Sequence, residues 1–312
     1  MLDIKTIKYI LAEKLDIIRP IMSDTRKPLV YTSFDGDYMQ YMQHMMAYSL
    51  QKGYIPINPE ATLGYYISTT THDGDKVPVM MDCLKSMSIC DRFWVFNPSN
   101  GHIPEGVLAE VIYWCRIKGM GIDIIPFFDN TITFLSAGIR EHQQLALYEV
   151  NSFIDSKDKS MIREIENVLL APYHNKGHKS AYIISNIKNI KHIDWARVYC
   201  YRQNLCPLCP STILPFYIHS LLYPNQSCLR EYLNDRLSIM DKSDKLLLFI
   251  NEFDLENELK KLDIYSLAEL YYALSSNRVV EIVNWKDAKV PKYANPAKWA
   301  LTSVERAEVN HA

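Results

Sequence analysis

Residues 81–128, MDCLKSMSICDRFWVFNPSNGHIPEGVLAEVIYWCRIKGMGIDIIPFF, constrain the fold of this 312-residue chain more than any other stretch. Phe93, Trp94, Val95 and Phe96 form a short apolar run bounded by turn residues, the form of a strand buried on both faces. From 105 to 117, apolar residues fall at Val107, Leu108, Val111, Ile112 and Cys115, which is a helical period. Gly119 and Gly121 stop that helix, and 122–128 reads as a second buried strand. Strand, helix and strand at this length predict a parallel pair joined by a crossover helix. Just upstream, 82–89 predicts a helix with Leu84, Met87 and Ser88 on one face. Glu110 does not fit a packing role. It sits in the crossover helix just past the carboxyl end of the first strand, where open α/β sheets bind ligands.

The rest of the first half extends this alternation. Residues 28–33 form an apolar run ending in small polar residues, a first strand. A helix over 38–51 follows, with Met42, Met45, Met46 and Leu50 inward and Gly53 closing it. Residues 54–59 read as a short strand whose prolines favour a sheet edge. The polar stretch 61–79 predicts a long connection folding over the site. The sum is a β-α-β-α-β-α-β pattern, the signature of a doubly wound sheet. Residues 134–170 are charged and helical without strand signals, and predict two helices packed outside the sheet.

The second half repeats the first. Residues 198–210 overlay 47–59 without a gap, pairing Tyr199 with Tyr48, Pro207 with Pro56 and Pro210 with Pro59. Residues 234–244 overlay 81–91, pairing Asp235 with Asp82 and Asp244 with Asp91, and Leu267-Ala268-Glu269 repeats Leu108-Ala109-Glu110. Two unrelated α/β domains sharing only a pattern are the alternative. Recurrence of the aspartates and of Leu-Ala-Glu at matching points favours duplication. Matching 181–185 to the first strand by its terminal serine puts Ile183 where Tyr31 stands. The expected fold class is therefore α/β, two tandem copies of a doubly wound, parallel-sheet, Rossmann-type domain with extra helices. The boundaries are an N-terminal helix over 1–27, a first domain over 28–133, a helical linker over 134–179, a second, degenerate domain over 180–285, and a tail over 286–312 with one short helix docked through Trp299.

Charge and composition exclude several functions. A net charge of −2 gives no electrostatic case for nucleic-acid binding by the chain as a whole. No segment approaches a membrane span, and the apolar face of 1–20 (Ile4, Ile7, Leu11, Leu15, Ile18) is broken by charges as no signal peptide would be. That stretch reads instead as an amphipathic docking helix. Seven cysteines, an odd number scattered in apolar stretches, predict reduced thiols in a cytoplasm. Cys206 and Cys209 have the spacing of a metal or redox pair, but no second pair follows and the repeat places them on a short strand. Core thiols are the better reading, and neither metal nor cofactor is expected. The sequence contains neither GxxxxGK nor GxGxxG, which removes support for P-loop and ordinary dinucleotide sites.

The topology gathers Tyr31, Ser33, Asp35, Asn58, Asp91, Glu105 and Glu110 at the carboxyl ends of strands, with Asp82 on the helix feeding the third strand. Several carboxylates converging with a tyrosine suit acid/base and nucleophilic work on a neutral or cationic centre. Structural roles compete with that reading. Glu110 can be a solvated helix residue, Asp82 a helix cap, Asp91 a cap on the turn before the strand, and Tyr31 a core tyrosine with one satisfied hydroxyl.

Asp82 and Asp91 ahead of Phe93-Trp94-Val95-Phe96, then Glu105-Gly106-Val107-Leu108-Ala109-Glu110, all after Gly53-Tyr54-Ile55-Pro56-Ile57-Asn58-Pro59, resemble the nucleoside 2-deoxyribosyltransferase-like family. The resemblance covers residues 28–128 well and 180–285 more loosely. It implies a transferase or N-glycosidase acting on a nucleoside, nucleotide or NAD-like compound. Glu110 would be its nucleophile, Asp82 the residue handling the proton of the leaving base, and Tyr31 the tyrosine that orients the nucleophile. Ser33, Asp35, Asn58, Asp91 and Glu105 would contact substrate. The family's aspartate six residues before the nucleophile is Pro104 here, whereas the second copy has Asp263 before Glu269 and keeps Asp235. Members also serve as toxin effectors of antiphage systems, including retrons. The resemblance thus implies a defence role and a protein or nucleoprotein partner, such as a reverse transcriptase with its DNA, with the N-terminal and 134–170 helices as the surplus surface. Face-to-face pairing of such domains makes an oligomer or an internal pseudo-dimer the expected assembly. The competing class is a non-catalytic nucleotide-sensing or interaction module of the same fold.

Overall fold

The computed structural model of the chain describes residues 4–34, 41–63, 76–98, 103–127, 143–170, 179–185, 193–214, 219–220, 222, 227–250 and 255–284. Asp35, the loop 186–189 and the tail from 286 lie outside them. The chain divides into two compact units, Lys27–His178 and Met1–Arg26 with Lys179–Ala312.

The chain opens on α1 (Ile4–Ile10) and α2 (Leu15–Met22), which belong to the second unit. The first unit runs β1 (Leu29–Ser33), α3 (Met42–Gln51), β2 (Ile55–Ile57), α4 (Pro59–Leu63), α5 (Lys76–Ser88), β3 (Arg92–Pro98), α6 (Glu105–Tyr113), β4 (Ile122–Phe127), β5 (Gln143–Leu145), α7 (Leu147–Asp155) and α8 (Lys159–Glu164). The second continues with β6 (Lys179–Ile184), α9 (Ile193–Arg202), β7 (Leu205–Leu208), α10 (Pro210–Ile213), α11 (Ser227–Asp241), β8 (Lys245–Ile250), α12 (Leu255–Lys261), α13 (Ile264–Ser275) and β9 (Val280–Asn284). The first sheet has the order β2-β1-β3-β4-β5, parallel except for β5, and the second has the order β7-β6-β8-β9, parallel throughout. The protein is mixed α/β with parallel-dominated sheets.

Strand alternation distributes the first core over two faces. Val30, Trp94, Phe96 and Ile125 pack with Met45 on one face, under Tyr41, Tyr48 and Tyr54. Tyr31 and Phe93 take the other, edge-to-face at 5.7 Å, and Phe93 meets Trp114 at 5.8 Å. Trp114 lies in the π-type turn Trp114–Lys118 that continues α6, and Gly119 ends it in the left-handed region at φ 63°.

Two expectations change. The 134–170 stretch contains a strand, because β5 pairs antiparallel with β4. Its docking depends on Gly121, where a Cβ would overlap the Leu145 carbonyl oxygen. The signal is weak in sequence, since β5 is three residues long and mostly exposed. The 61–79 connection is interrupted at both ends, by α4 over Pro59–Leu63 and by α5 starting at Lys76.

The apolar face of the N-terminal segment docks inside the second unit. Ile7, Leu11, Leu15, Ile18 and Ile21 are buried, α1 packs on α13 and α2 on α11. Arg230 donates to Asp24 at 2.5 and 2.8 Å, and Arg26 to Asn234 at 2.7 Å and Asp241 at 3.0 Å. These helices group with the second unit. Among the described residues, no helix is long and apolar enough to cross a membrane. None of the seven cysteines forms a disulfide and all are buried, with Cys209 inside the apolar core of the second unit.

Candidate functional site

Residues two apart on a strand face the same side, so Tyr31 and Ser33 both point from β1 towards α6. On that helix, every residue from Val107 to Tyr113 is buried, Glu110 included. The Tyr31 hydroxyl donates to Glu110 Oε1 at 2.6 Å and the Ser33 hydroxyl to Oε2 at 2.5 Å. Among the described residues no Lys, Arg or His pairs with this carboxyl, which is 5 % exposed. Burial therefore pushes its pKa up to about 7, with the Ser33 and Tyr31 hydrogen bonds acting against that shift. Burial, and then the neighbouring Glu110, raise the Tyr31 pKa well above its ordinary value, so the phenol stays a neutral donor. A carboxylate accepting one hydrogen bond on each oxygen keeps lone pairs for a further bond.

One α5 residue adjoins this group. Cys83, which the sequence reading passed over, lies near enough to Tyr31 to help raise the phenol's pKa, after burial and Glu110. Asp82, next to it, is 4 % exposed and is not a hydrogen-bond partner of Glu110.

The remaining sequence candidates divide differently. Asp91 is corrected. It precedes β3, and its carboxylate accepts from Leu29 N–H at 2.9 Å, so it secures the amino end of β1, roughly four residues or about 13 Å from Ser33. Asn58 accepts from Glu60 and Ala61 N–H at 3.0 and 3.2 Å and donates to the Thr32 carbonyl at 3.2 Å, capping α4 and fastening it to β1. Its amide is committed to the backbone. Glu105 is exposed at the first position of α6, where the helix dipole favours it, and does not contact Glu110.

The second unit holds a similar carboxyl in another electrostatic state. The Tyr182 hydroxyl donates to Glu269 Oε1 at 2.5 Å, so Tyr182 and not Ile183 is the counterpart of Tyr31. Sheet register agrees. Tyr31 lies beside Ile57 and Phe93, and Tyr182 beside Leu208 and Leu246, which the repeat pairs with them. Matching the strands by their terminal serines slipped the register by one. Ser33 then corresponds to Ile184, which has no hydroxyl, and Glu269 Oε2 finds no hydrogen-bond partner among the described residues.

Arg236 on α11 fills the gap in charge by forming a wholly buried ion pair with Glu269. The repeat sets Arg236 against Cys83. Burial raises the Glu269 pKa and Arg236 opposes this. A guanidinium keeps its proton and cannot be buried without an anion, so the pair is ionic. Tyr232 and Tyr265 lie against the guanidinium with ring centroids at 5.3 and 5.8 Å. Asp235 pairs with a second missed residue, His219, at 2.9 Å, both fully buried. Asp263 caps α13 by accepting from Ser266 N–H at 2.8 Å. Ser180 N–H donates to Asp244 at 2.7 Å, the same tie as Leu29 with Asp91. Among the described residues, no cluster of His, Cys, Asp and Glu could hold a metal ion.

The chemistry on offer is thus one uncompensated, titratable carboxyl in the first unit and one neutralised carboxyl in the second. Comparison with protein-family models, with curated proteins and with solved structures returned no match.

Proposed function

We propose that the first unit breaks an N-glycosidic bond in a nucleoside, nucleotide or NAD-like substrate, with Glu110 as nucleophile. The observation that carries this reading is a buried carboxyl held on both oxygens by neutral hydroxyls and paired with no cation among the described residues. A carboxylate so placed suits an oxocarbenium-like transition state, whose positive charge it stabilises before bonding. Glu110 Oε attacks the anomeric carbon as the carbon–nitrogen bond breaks, and the base leaves with a proton that Asp82 handles. Water or a second base then attacks the glycosyl ester and frees Glu110. Tyr31 and Ser33 orient the carboxylate and hold its pKa within reach of neutrality.

We read the second unit as a degenerate copy of the same domain that serves binding or structure. The shared strand order, the paired Tyr–Glu contacts and the paired Asp–strand ties support duplication. The Arg236–Glu269 pair is what favours a module over an enzyme for that half. A role for the activity in antiphage defence rests on the sequence resemblance.

The test is incubation with a mixture of nucleosides, nucleotides and NAD, followed by chromatography of released bases. Release that depends on Glu110 and not on Glu269 is expected. No release from any of these compounds, or equal loss in both variants, overturns the assignment.

A further inference from the structure

Tyr31 and Tyr182 hold Glu110 and Glu269 alike, so the difference between the two carboxyls comes from what else reaches them. On the helix before the central strand, the first unit offers the Cys83 thiol to Tyr31, and the second offers the Arg236 guanidinium to Glu269. The thiol carries no charge at neutral pH in an apolar setting and the guanidinium always does. We propose that position 83 is the charge-setting position of the glutamate site: a thiol there leaves Glu110 free to ionise and react, whereas an arginine would lock it as a structural ion pair, the state of Glu269. This goes one step beyond the glycosidase reading and rests on it only for the consequence in activity.

Other groups near the two carboxyls do not account for the difference. Glu110's own hydrogen-bond partners are Tyr31 and Ser33. The elements packed on α6 also carry Asp82 and Lys85 on α5 and Glu166 after α8, none of which contributes to its titration. Around Glu269 stand Tyr182, Arg236, Tyr232 and Asp263, and only Arg236 is a cation. Cys83 acts on Tyr31 and not on Glu110 directly, so it is a positioning residue, and what it does for the carboxyl is to keep a cation out of its place.

The experiment reads titration apart from activity. Carbon-13 NMR of protein labelled at glutamate carboxyls should reveal one carboxyl titrating near pH 7 in the wild type, absent in Glu110→Gln and retained in Glu269→Gln. In Cys83→Arg that titration should leave the neutral range, and the fall in denaturation midpoint between pH 4.5 and 7 should vanish with it. Cys83→Met, close to the thiol's polarity but bulkier, should keep both. Base release should fall about 100-fold or more in Cys83→Arg, the scale of disabling one catalytic contact. Arg236→Cys is the reciprocal, and should give Glu269 a neutral-range titration.

A neutral-range titration that persists in folded Cys83→Arg overturns the proposal, as does a wild type with no such titration lost in Glu110→Gln. If the titrations behave as expected but the wild type releases no base, the glycosidase reading fails and the role of position 83 stands.

Discussion

Tyr31 and Glu110, separated by 79 positions in sequence, meet at 2.6 Å across the carboxyl end of the first sheet. Their counterparts Tyr182 and Glu269 meet at 2.5 Å, with an arginine added. One arrangement thus appears in two electrostatic states.

Glu110→Gln should lower base release by several orders of magnitude, roughly 4 to 8 kcal/mol of barrier, the scale of deleting a covalent catalyst. Its effect on stability has the opposite sign. The Glu110 pKa is raised from 4.5 to about 7, so the neutral acid stabilises the fold fully below 4.5 and that contribution is lost as pH rises through 7. Replacing it with a neutral amide should raise stability at pH 9 by up to about 3 kcal/mol and change little at pH 4. Urea denaturation of both proteins at the two pH values checks this.

Wild-type kcat/KM for base release should rise with pH and level off above about 7, since the nucleophile is the carboxylate. The Ser33 and Tyr31 hydrogen bonds hold the Glu110 pKa down, the Ser33 bond more strongly. Ser33→Ala should therefore move the acid limb to higher pH, and Tyr31→Phe should move it the same way by less. A limb that stays in place in both variants contradicts the assignment of these donors.

Glu269→Gln should behave unlike Glu110→Gln. Removing the anion strands the fully buried Arg236, a loss of about 3–5 kcal/mol at neutral pH. The double variant Arg236→Leu with Glu269→Leu should be more stable than either single one, because it leaves no unpaired charge. Thermal melts of the wild type, Arg236→Leu, Glu269→Leu and the double variant measure the coupling.

Asp91→Ala should cost about 1–3 kcal/mol by leaving the Leu29 N–H without its acceptor, with kcat for base release nearly unchanged. A loss of activity beyond the loss of folded protein would return Asp91 to the site.

The sequence by itself determined the layered α/β class and singled out Tyr31, Ser33 and Glu110, which the fold brings together. Apolar runs such as Phe93–Phe96 and the helical period around Glu110 are local patterns that burial enforces, and the alternation of Tyr31 and Ser33 follows from strand geometry. Gathering Asp91 with the carboxyl ends of strands overlooks that it precedes the run Phe93–Phe96, and its alternative reading as a cap on the turn before the strand is the one the Leu29 contact supports. The sequence alone also missed β5, whose three residues carry no apolar run and are held by the space that Gly121 leaves open. The slip that matched Ile183 to Tyr31 arose because β6 is buried on nearly every residue, which removes the alternation that would fix register. Only the tertiary structure decided which of the two carboxyls is paired with a cation. Charge compensation depends on a side chain from another helix, Cys83 or Arg236, and that partnership is made by packing across the chain rather than by any pattern along it.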